Sequence, residues 1–212
     1  MPRAIERVLG GVALVAAATL AAAADSGTPP DILVKNVTLE VVHIIKNDKD
    51  IQSGDRKKII GLIEAKVLPH FDFTSMTATA VGLNWRQATP QQKQRLTEEF
   101  KTLLVRTYAS ALSAYSDQRF DFRPLHARPS DTDVLVQVRI VQSGAQPVSI
   151  DYGMEKTASG WKAYDVAVGG VSLVANYRTE FGNIIRAEGI DGLIRNLHAK
   201  NESLAQSGQG KK

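Results

Sequence analysis

The chain has 212 residues, no cysteine, and a net charge of +4 from 26 basic and 22 acidic side chains. That composition excludes disulfide scaffolds, thiol catalysis and most zinc sites. A charge this small and scattered also excludes electrostatic capture of nucleic acid, since Lys211-Lys212 at the end of the chain is not a basic face. Residues 1–24 show the three parts of a secretory signal peptide: Arg3 and Arg7, an apolar run from Val8 to Ala24, and Ala22 and Ala24 at small-x-small spacing before Asp25. A spanning helix needs about 20 strongly apolar residues. This run is mostly alanine, broken by Gly10, Gly11 and Thr19, and so predicts cleavage and release. No cysteine follows it for lipoprotein attachment. Losing Arg3, Arg7 and Glu6 lowers the net charge from +4 to +3. The expected product is one domain over residues 25–202, helical over 30–88 and helix–sheet–helix over 89–202, with a disordered polar tail at 203–212.

After a linker at Ser26–Pro30, Leu33, Val37, Val41, Ile44 and Ile45 recur at helical spacing and predict a helix over Asp31–Lys46. Asn47–Gly54 reads as a polar turn. Ile59, Leu62, Ile63 and Val67 predict a second helix over Asp55–Leu68, stopped by Pro69. A short helix over Phe73–Val81 ends at Gly82, the residue type suited to a C-cap. The best-marked helix starts at Thr89, with Pro90 in the first turn and Gln92 at capping-box spacing. Its stripe of Leu96, Phe100, Leu103, Leu104, Ala111, Leu112 and Tyr115 carries it to Tyr115.

The period then changes to two. Phe120 and Phe122, Val134 to Ile140, Val148 to Met154, and Tyr164 to Val168 each alternate apolar with polar, separated by turn residues. Four such runs predict an antiparallel meander with one apolar face. Helical period returns after Gly169-Gly170 with Leu173, Val174, Tyr177, Phe181, Ile184 and Ile185, and Gly189 ends it. A last helix from Asp191 carries Leu193, Ile194 and Leu197. The predicted fold class is α+β: a four-stranded antiparallel sheet packed against several helices on its apolar face, with an N-terminal helical subdomain.

A search for chemistry returns little. His43, His70, His126 and His198 fall in four different elements with no paired ligand spacing, so no metal or cofactor is expected. Ser172 follows a Gly-Gly pair, but a nucleophile elbow needs glycine two residues later and Val174 stands there, so Ser172 reads as a helix cap. Asp48 and Asp50 suggest a calcium loop whose twelfth position is Ile59 instead of Glu. The enzymatic alternative is a pocket of the ketosteroid-isomerase-like type with Asp151 or Asp165 as general base. Both alternate away from the apolar strand faces, which favours structural carboxylates.

Several separated motifs carry a resemblance over residues 30–200. They are Phe71-Asp72-Phe73 with Met76; Leu83-Asn84-Trp85-Arg86 followed by Ala88-Thr89-Pro90; Thr107-Tyr108 with Tyr115; and Pro147 to Tyr152. Gly160-Trp161-Lys162 through Tyr164-Asp165-Val166 follows, then Gly170-Val171-Ser172-Leu173, Asn176-Tyr177-Arg178 with Phe181, and Gly189-Ile190-Asp191-Gly192-Leu193. In order and spacing this set resembles the MlaC family, also called the Ttg2D or toluene-tolerance family. Relatives often carry an acidic residue before the Gly-Val-Ser step, where this chain has Gly169. The resemblance implies a monomeric, non-enzymatic periplasmic auxiliary component of an ABC transporter that serves outer-membrane lipid asymmetry. Its ligand would be a phospholipid, and its partners an inner-membrane MCE-protein transporter complex and an outer-membrane lipoprotein complex. A carrier of polycyclic lipids such as hopanoids is the sister alternative.

Apolar stripes are by default ordinary core; it is the resemblance that implies a curved sheet enclosing an apolar cavity and turns them into its walls. On that basis the expected lipid-lining residues are Phe73, Met76, Leu104, Tyr108, Leu112, Val136, Val138, Ile150, Tyr152, Val166, Val168, Val171, Val174, Tyr177 and Phe181. Arg139 and Arg178 are the candidates for headgroup contact.

Overall fold

The computed structural model describes residues 27–113, 115, 118–128 and 130–207, less the side chains of Leu112 and Ser113. The signal-peptide reading and the end of the tail, 208–212, lie outside the described residues. Helix α1 spans Pro30–Asn47 and buries Val34, Val41 and Ile45 on one side. The polar segment read as a turn contains a one-turn helix, α2 (Lys49–Gln52), because the Asp48 carboxylate accepts from the N–H groups of Asp50 and Ile51. Asp55 caps α3 (Arg56–Leu62) through Lys58 N–H. The expected helix to Leu68 does not continue as an α-helix. It widens to a π-helical turn over Ile63–Val67 and tightens to a 3₁₀ turn over Leu68–His70, where Pro69 has no N–H to give.

Helix α4 (Phe73–Val81) starts at Asp72, which accepts from Ser75 N–H, and ends at Gly82 with φ 65°. Helix α5 (Pro90–Ser113) opens with both halves of the predicted capping box. Gln92 N–H donates to Thr89 Oγ1 at 3.2 Å, and Thr89 N–H donates to Gln92 Oε1 at 3.0 Å.

The sheet has five strands, not four, in the order β1-β2-β3-β4-β5 and antiparallel throughout: β1 Arg119–Phe122, β2 Asp133–Val141, β3 Val148–Thr157, β4 Gly160–Val168 and β5 Val171–Ser172. The fifth is two residues long, too short to register as a period. It is turned back by Gly169 and Gly170, whose φ values of 58° and 82° suit a two-residue hairpin connection. One sheet face carries Val134, Val136, Val138, Met154 and Ala163 and packs with Val34 of α1.

Ser172 caps the following turn, its hydroxyl accepting from Ala175 N–H at 2.9 Å. Helix α6 runs from Arg178 to Ser207 with a break at Gly189 (φ 73°, ψ −178°), so the two predicted helices stand on either side of that glycine. The tail expected to be disordered from Ser203 is helical to Ser207, because Leu204 packs on the helical core and Asn201 bonds to α5. That core joins α4, α5 and α6 through Met76, Leu96, Phe100, Leu103, Phe181 and Leu193. A second one joins α1, α2, α3 and α5. Among the described residues no helix is long and apolar enough to cross a membrane.

Candidate functional site

Between the sheet and the helices the packing is incomplete. A cavity of about 230 Å³ is walled by the π-helical turn (Ile63, Val67), Leu68 and Phe71, α4 (Phe73, Met76), α5 (Leu104, Val105, Tyr108, Ala109) and the sheet side (Ile150, Tyr152, Val166), with Leu173. A second, about 300 Å³, lies between α1 (Leu33 to Ile45) and the sheet, with Val67, His70, Phe71, Ala111, Phe120, Ile140, Ile150, Tyr152, Met154 and Ala163 in its wall. Val67, Phe71, Ile150 and Tyr152 border both, so the two adjoin along a shared partition.

The walls carry almost no polarity. The first cavity offers only the phenols of Tyr108 and Tyr152; the second offers Thr38, His70 and the same Tyr152. Burial, and secondarily the charge of Lys162, holds the His70 imidazole below its usual range, which keeps it neutral at physiological pH. No carboxylate or permanent cation is in either wall. Such a lining can hold an apolar ligand by shape and surface.

Apolar side chains stand in water close to the first cavity. Val148 is 40%, Val168 38%, Val171 56% and Tyr108 39% exposed. Register places Val168 beside Ile150 and Val166 beside Tyr152. Going inward along β3 the order is therefore Val148, Ile150, Tyr152 and then Met154, which is 1% exposed. Burial pushes the Tyr152 phenol up to about 12.

Of the predicted lining residues, Phe73, Met76, Leu104, Tyr108, Ile150, Tyr152 and Val166 are in the first cavity's wall. The Leu112 side chain lies outside the described residues. Seven others border neither cavity. Val136 and Val138 are 2% and 3% exposed in the filled core under α1. Val174 and Phe181 are buried in the helical core. Tyr177 packs there too, edge-on to Phe100 with ring centroids 5.1 Å apart. Val168 and Val171 stand at the exposed β4–β5 hairpin and not inside.

Neither candidate headgroup arginine borders either of the two apolar cavities. Arg139 alternates with buried Val138 and is exposed on the other sheet face, opposite Asp121 and Ser149. The Arg178 side chain extends over Gly82 and donates from Nε to Thr79 O at 3.1 Å, beside a separate open hollow with Arg86.

The candidate base positions are occupied otherwise. Asp165 Oδ1 accepts from Val166 N–H and from Ser172 Oγ–H, both at 2.8 Å. Asp151 accepts from Gln137 Nε2 at 3.1 Å on the exposed face. Asp48 and Asp50 pair with Lys58. His43 lies against Asn47, and His198 meets Glu99 Oε1 at 2.9 Å. His126 is exposed, and only His70 reaches a cavity. Among the described residues no group of three or more metal-ligating side chains comes together.

Sequence reasoning missed the π-helical turn, Phe71, Val105, Ala109 and Leu173, and it missed α1 as the wall of a second cavity. Ala109 could have been found, since it stands three residues before Leu112 on a predicted helix. The position of α1 over the sheet has no local signal.

Comparison with known proteins agrees with this geometry. The chain is 25% identical over 165 residues to the toluene tolerance protein ttg2D of Pseudomonas putida, covering 77% of this chain and 76% of that one. It is 22% identical over 173 residues to the intermembrane phospholipid transport system binding protein MlaC of Haemophilus influenzae, covering 80% and 81%. A phospholipid-binding protein from Ralstonia solanacearum, solved in complex with a phospholipid, superposes with a TM-score of 0.78 at 37% identity, covering 84% of this chain and 99% of its own. The MlaC protein family model matches residues 35–199, nearly the whole described fold, and the chain belongs to the MlaC family.

Proposed function

We propose that this protein is a periplasmic carrier that holds phospholipid acyl chains in the two adjoining cavities. It would shuttle the lipid between an outer-membrane lipoprotein complex and an inner-membrane MCE-protein transporter complex. The observation that carries the reading is the paired cavity itself, unfilled and almost wholly apolar at the sheet–helix interface. A two-chain lipid has on the order of 30 methylene groups, each costing about 0.8 kcal/mol in water. A path through water therefore needs shielding worth roughly 20 kcal/mol or more. Ligand pockets usually span about 300–1,000 Å³. Neither cavity alone is comfortable for two chains, and the pair falls within that range. Membership of a family with phospholipid-named relatives supports the choice of ligand.

The test is extraction of the purified native protein and mass spectrometry of the organic phase, followed by incubation of delipidated protein with phospholipid vesicles. Recovery of phospholipid and uptake from vesicles is the expected result. Recovery of a polycyclic lipid would transfer the reading to the hopanoid-type carrier, and failure of both extraction and uptake overturns carriage.

A further inference from the structure

One polar group stands apart from the rest of the double cavity. The Tyr152 side chain comes off the middle of β3 at the partition that both cavities share, between Ile150, which borders both, and Met154, which borders the second. Among the described residues no side chain or backbone group takes part in a hydrogen bond with its hydroxyl. The two fully buried polar side chains border neither cavity: Thr77 Oγ1 donates to Phe73 O at 2.6 Å, and Asn201 Nδ2 donates to Glu99 while its Oδ1 has no partner among the described residues. Tyr152 is only partly buried and borders open cavity space, so its hydroxyl is free to give its hydrogen to a ligand. The phenol stays un-ionised at every physiological pH, so it has a hydrogen to give.

We propose that the Tyr152 hydroxyl is the specificity donor of the cavity, giving its hydrogen to the ester carbonyl where the two acyl chains of the ligand diverge. The inference rests on phospholipid carriage. If each cavity takes one chain, the branch point falls at the shared partition, and Tyr152 is the only polar side chain that borders both. Ester oxygens are the acceptors a diacyl lipid brings to that point. An ether-linked lipid of the same shape brings no carbonyl there.

The experiment is a competition. Delipidated protein is incubated with vesicles holding equal amounts of a diacyl phosphatidylglycerol and its dialkyl ether counterpart of matched chains, and the extracted lipids are quantified by mass spectrometry. The native protein should favour the ester lipid by about threefold to tenfold, the worth of one hydrogen bond. Tyr152→Phe, which keeps the ring, should bring the ratio close to one. In unsubstituted protein carrying ¹³C-labelled tyrosine, the Tyr152 Cζ resonance should shift on loading with the ester lipid and not with the ether lipid. An ester-to-ether ratio near one in the native protein, or one unchanged in Tyr152→Phe, overturns the role of Tyr152 while carriage stands. Uptake of neither lipid overturns both.

Discussion

Glu99 on α5 accepts a 2.7 Å hydrogen bond at Oε2 from Nδ2 of Asn201 on α6, across 102 residues of chain, and its backbone carbonyl accepts a second from the same amide at 2.9 Å. Asn201 is 2% exposed, and its own carbonyl accepts from Arg106. This clamp holds the last turns of α6 against α5. Asn201→Ala should cost about 1–3 kcal/mol for the groups it leaves unpaired. Asn201→Asp should cost more at neutral pH, because it sets a second carboxylate against Glu99. The new Asp would have a folded-state pKa above its unfolded one, so the penalty grows as pH rises past about 3.9 and shrinks below it. Urea denaturation of both variants on either side of that pH checks the order; a pH-independent penalty for Asn201→Asp would contradict it.

Glycine-to-alanine changes inside helices usually stabilise, by up to about 1 kcal/mol. In α6 two of them should do the opposite. Gly189 has φ 73° and ψ −178°, a region essentially closed to side chains, and alanine there should cost about 1–3 kcal/mol. The break also folds Glu188 back onto Gly192, where an added Cβ would lie 2.2 Å from the Glu188 Cβ. Gly192→Ala must therefore move backbone and should lose a similar amount, about 1–3 kcal/mol. Gly182 on the same helix has open space around it and serves as the control. Thermal melts of the three variants test this, and a raised melting temperature for Gly189→Ala would count against the break as a required feature.

Gly189 was legible as punctuation, since one predicted helix ends there and the next starts at Asp191, whereas the packing of Gly192 was not. The same division runs through the site. Phe73 with Met76, Leu104 with Tyr108, and Ile150 with Tyr152 repeat at spacings that place them on inward faces, and all six reach the cavity. Val136 and Val138 repeat in the same way and lie in filled core instead. Periodicity records which face turns inward, and it is silent on whether the volume opposite is occupied. That volume depends on where α1 settles over strands about 100 residues away, and on a π-helical turn before Pro69 that no spacing announces. Arg178 illustrates the rest: its partner is a carbonyl at Thr79, 99 residues distant, which no motif encodes.

The head of α4 is tied to the sheet by carboxyls that share one hydroxyl. Ser75 Oγ lies 3.0 Å from Asp72 Oδ2 and 3.0 Å from Glu155 Oε1. A hydroxyl has one hydrogen to give, so both contacts are satisfied together when one carboxyl is protonated. Burial foremost, with Asp72 and Asp133 close by, raises Glu155 against the opposing bond from Ser75. Burial also pushes Asp72 up, but bonds from Ser75, Glu155 and Thr74 outweigh it and leave it below its usual range. The proton therefore belongs on Glu155. Its raised folded-state pKa means stability is present below the ordinary value of 4.5 and is lost as pH rises beyond it. Asp72 works in reverse, losing stability as pH falls below 3.8. Glu155→Gln keeps a donor for this pair and removes the charge. It should stabilise at neutral pH, by no more than about 1 kcal/mol because solvent screens the half-exposed site. It should also flatten the decline in stability above about pH 4.5. Denaturation curves across that window decide it, and parallel pH profiles for the two proteins would argue against a shared proton.

If the cavities each take one acyl chain, closing one should separate two-chain from one-chain ligands. Ala109 is 2% exposed in the wall of the first cavity alone, and Val37 faces the second alone. Ala109→Leu adds three carbons into a void of about 230 Å³, where they meet Ile63, Met76 and Leu104 and remove empty space. Filling a void of this kind is neutral to mildly stabilising, in contrast to the 1–3 kcal/mol typical of overpacking a filled core. Val37→Phe should narrow the second cavity in the same way. Each variant alone should melt close to the parent and take up less diacyl phospholipid from vesicles, by roughly tenfold if the loss is about 1.4 kcal/mol, the worth of nearly two methylenes. A lysophospholipid, with one chain, should still load through the cavity that remains, and the double variant should lose both ligands. Equal losses of one-chain and two-chain ligands in each single variant would mean that the two cavities act as one undivided space, with Tyr152 projecting into it instead of dividing it.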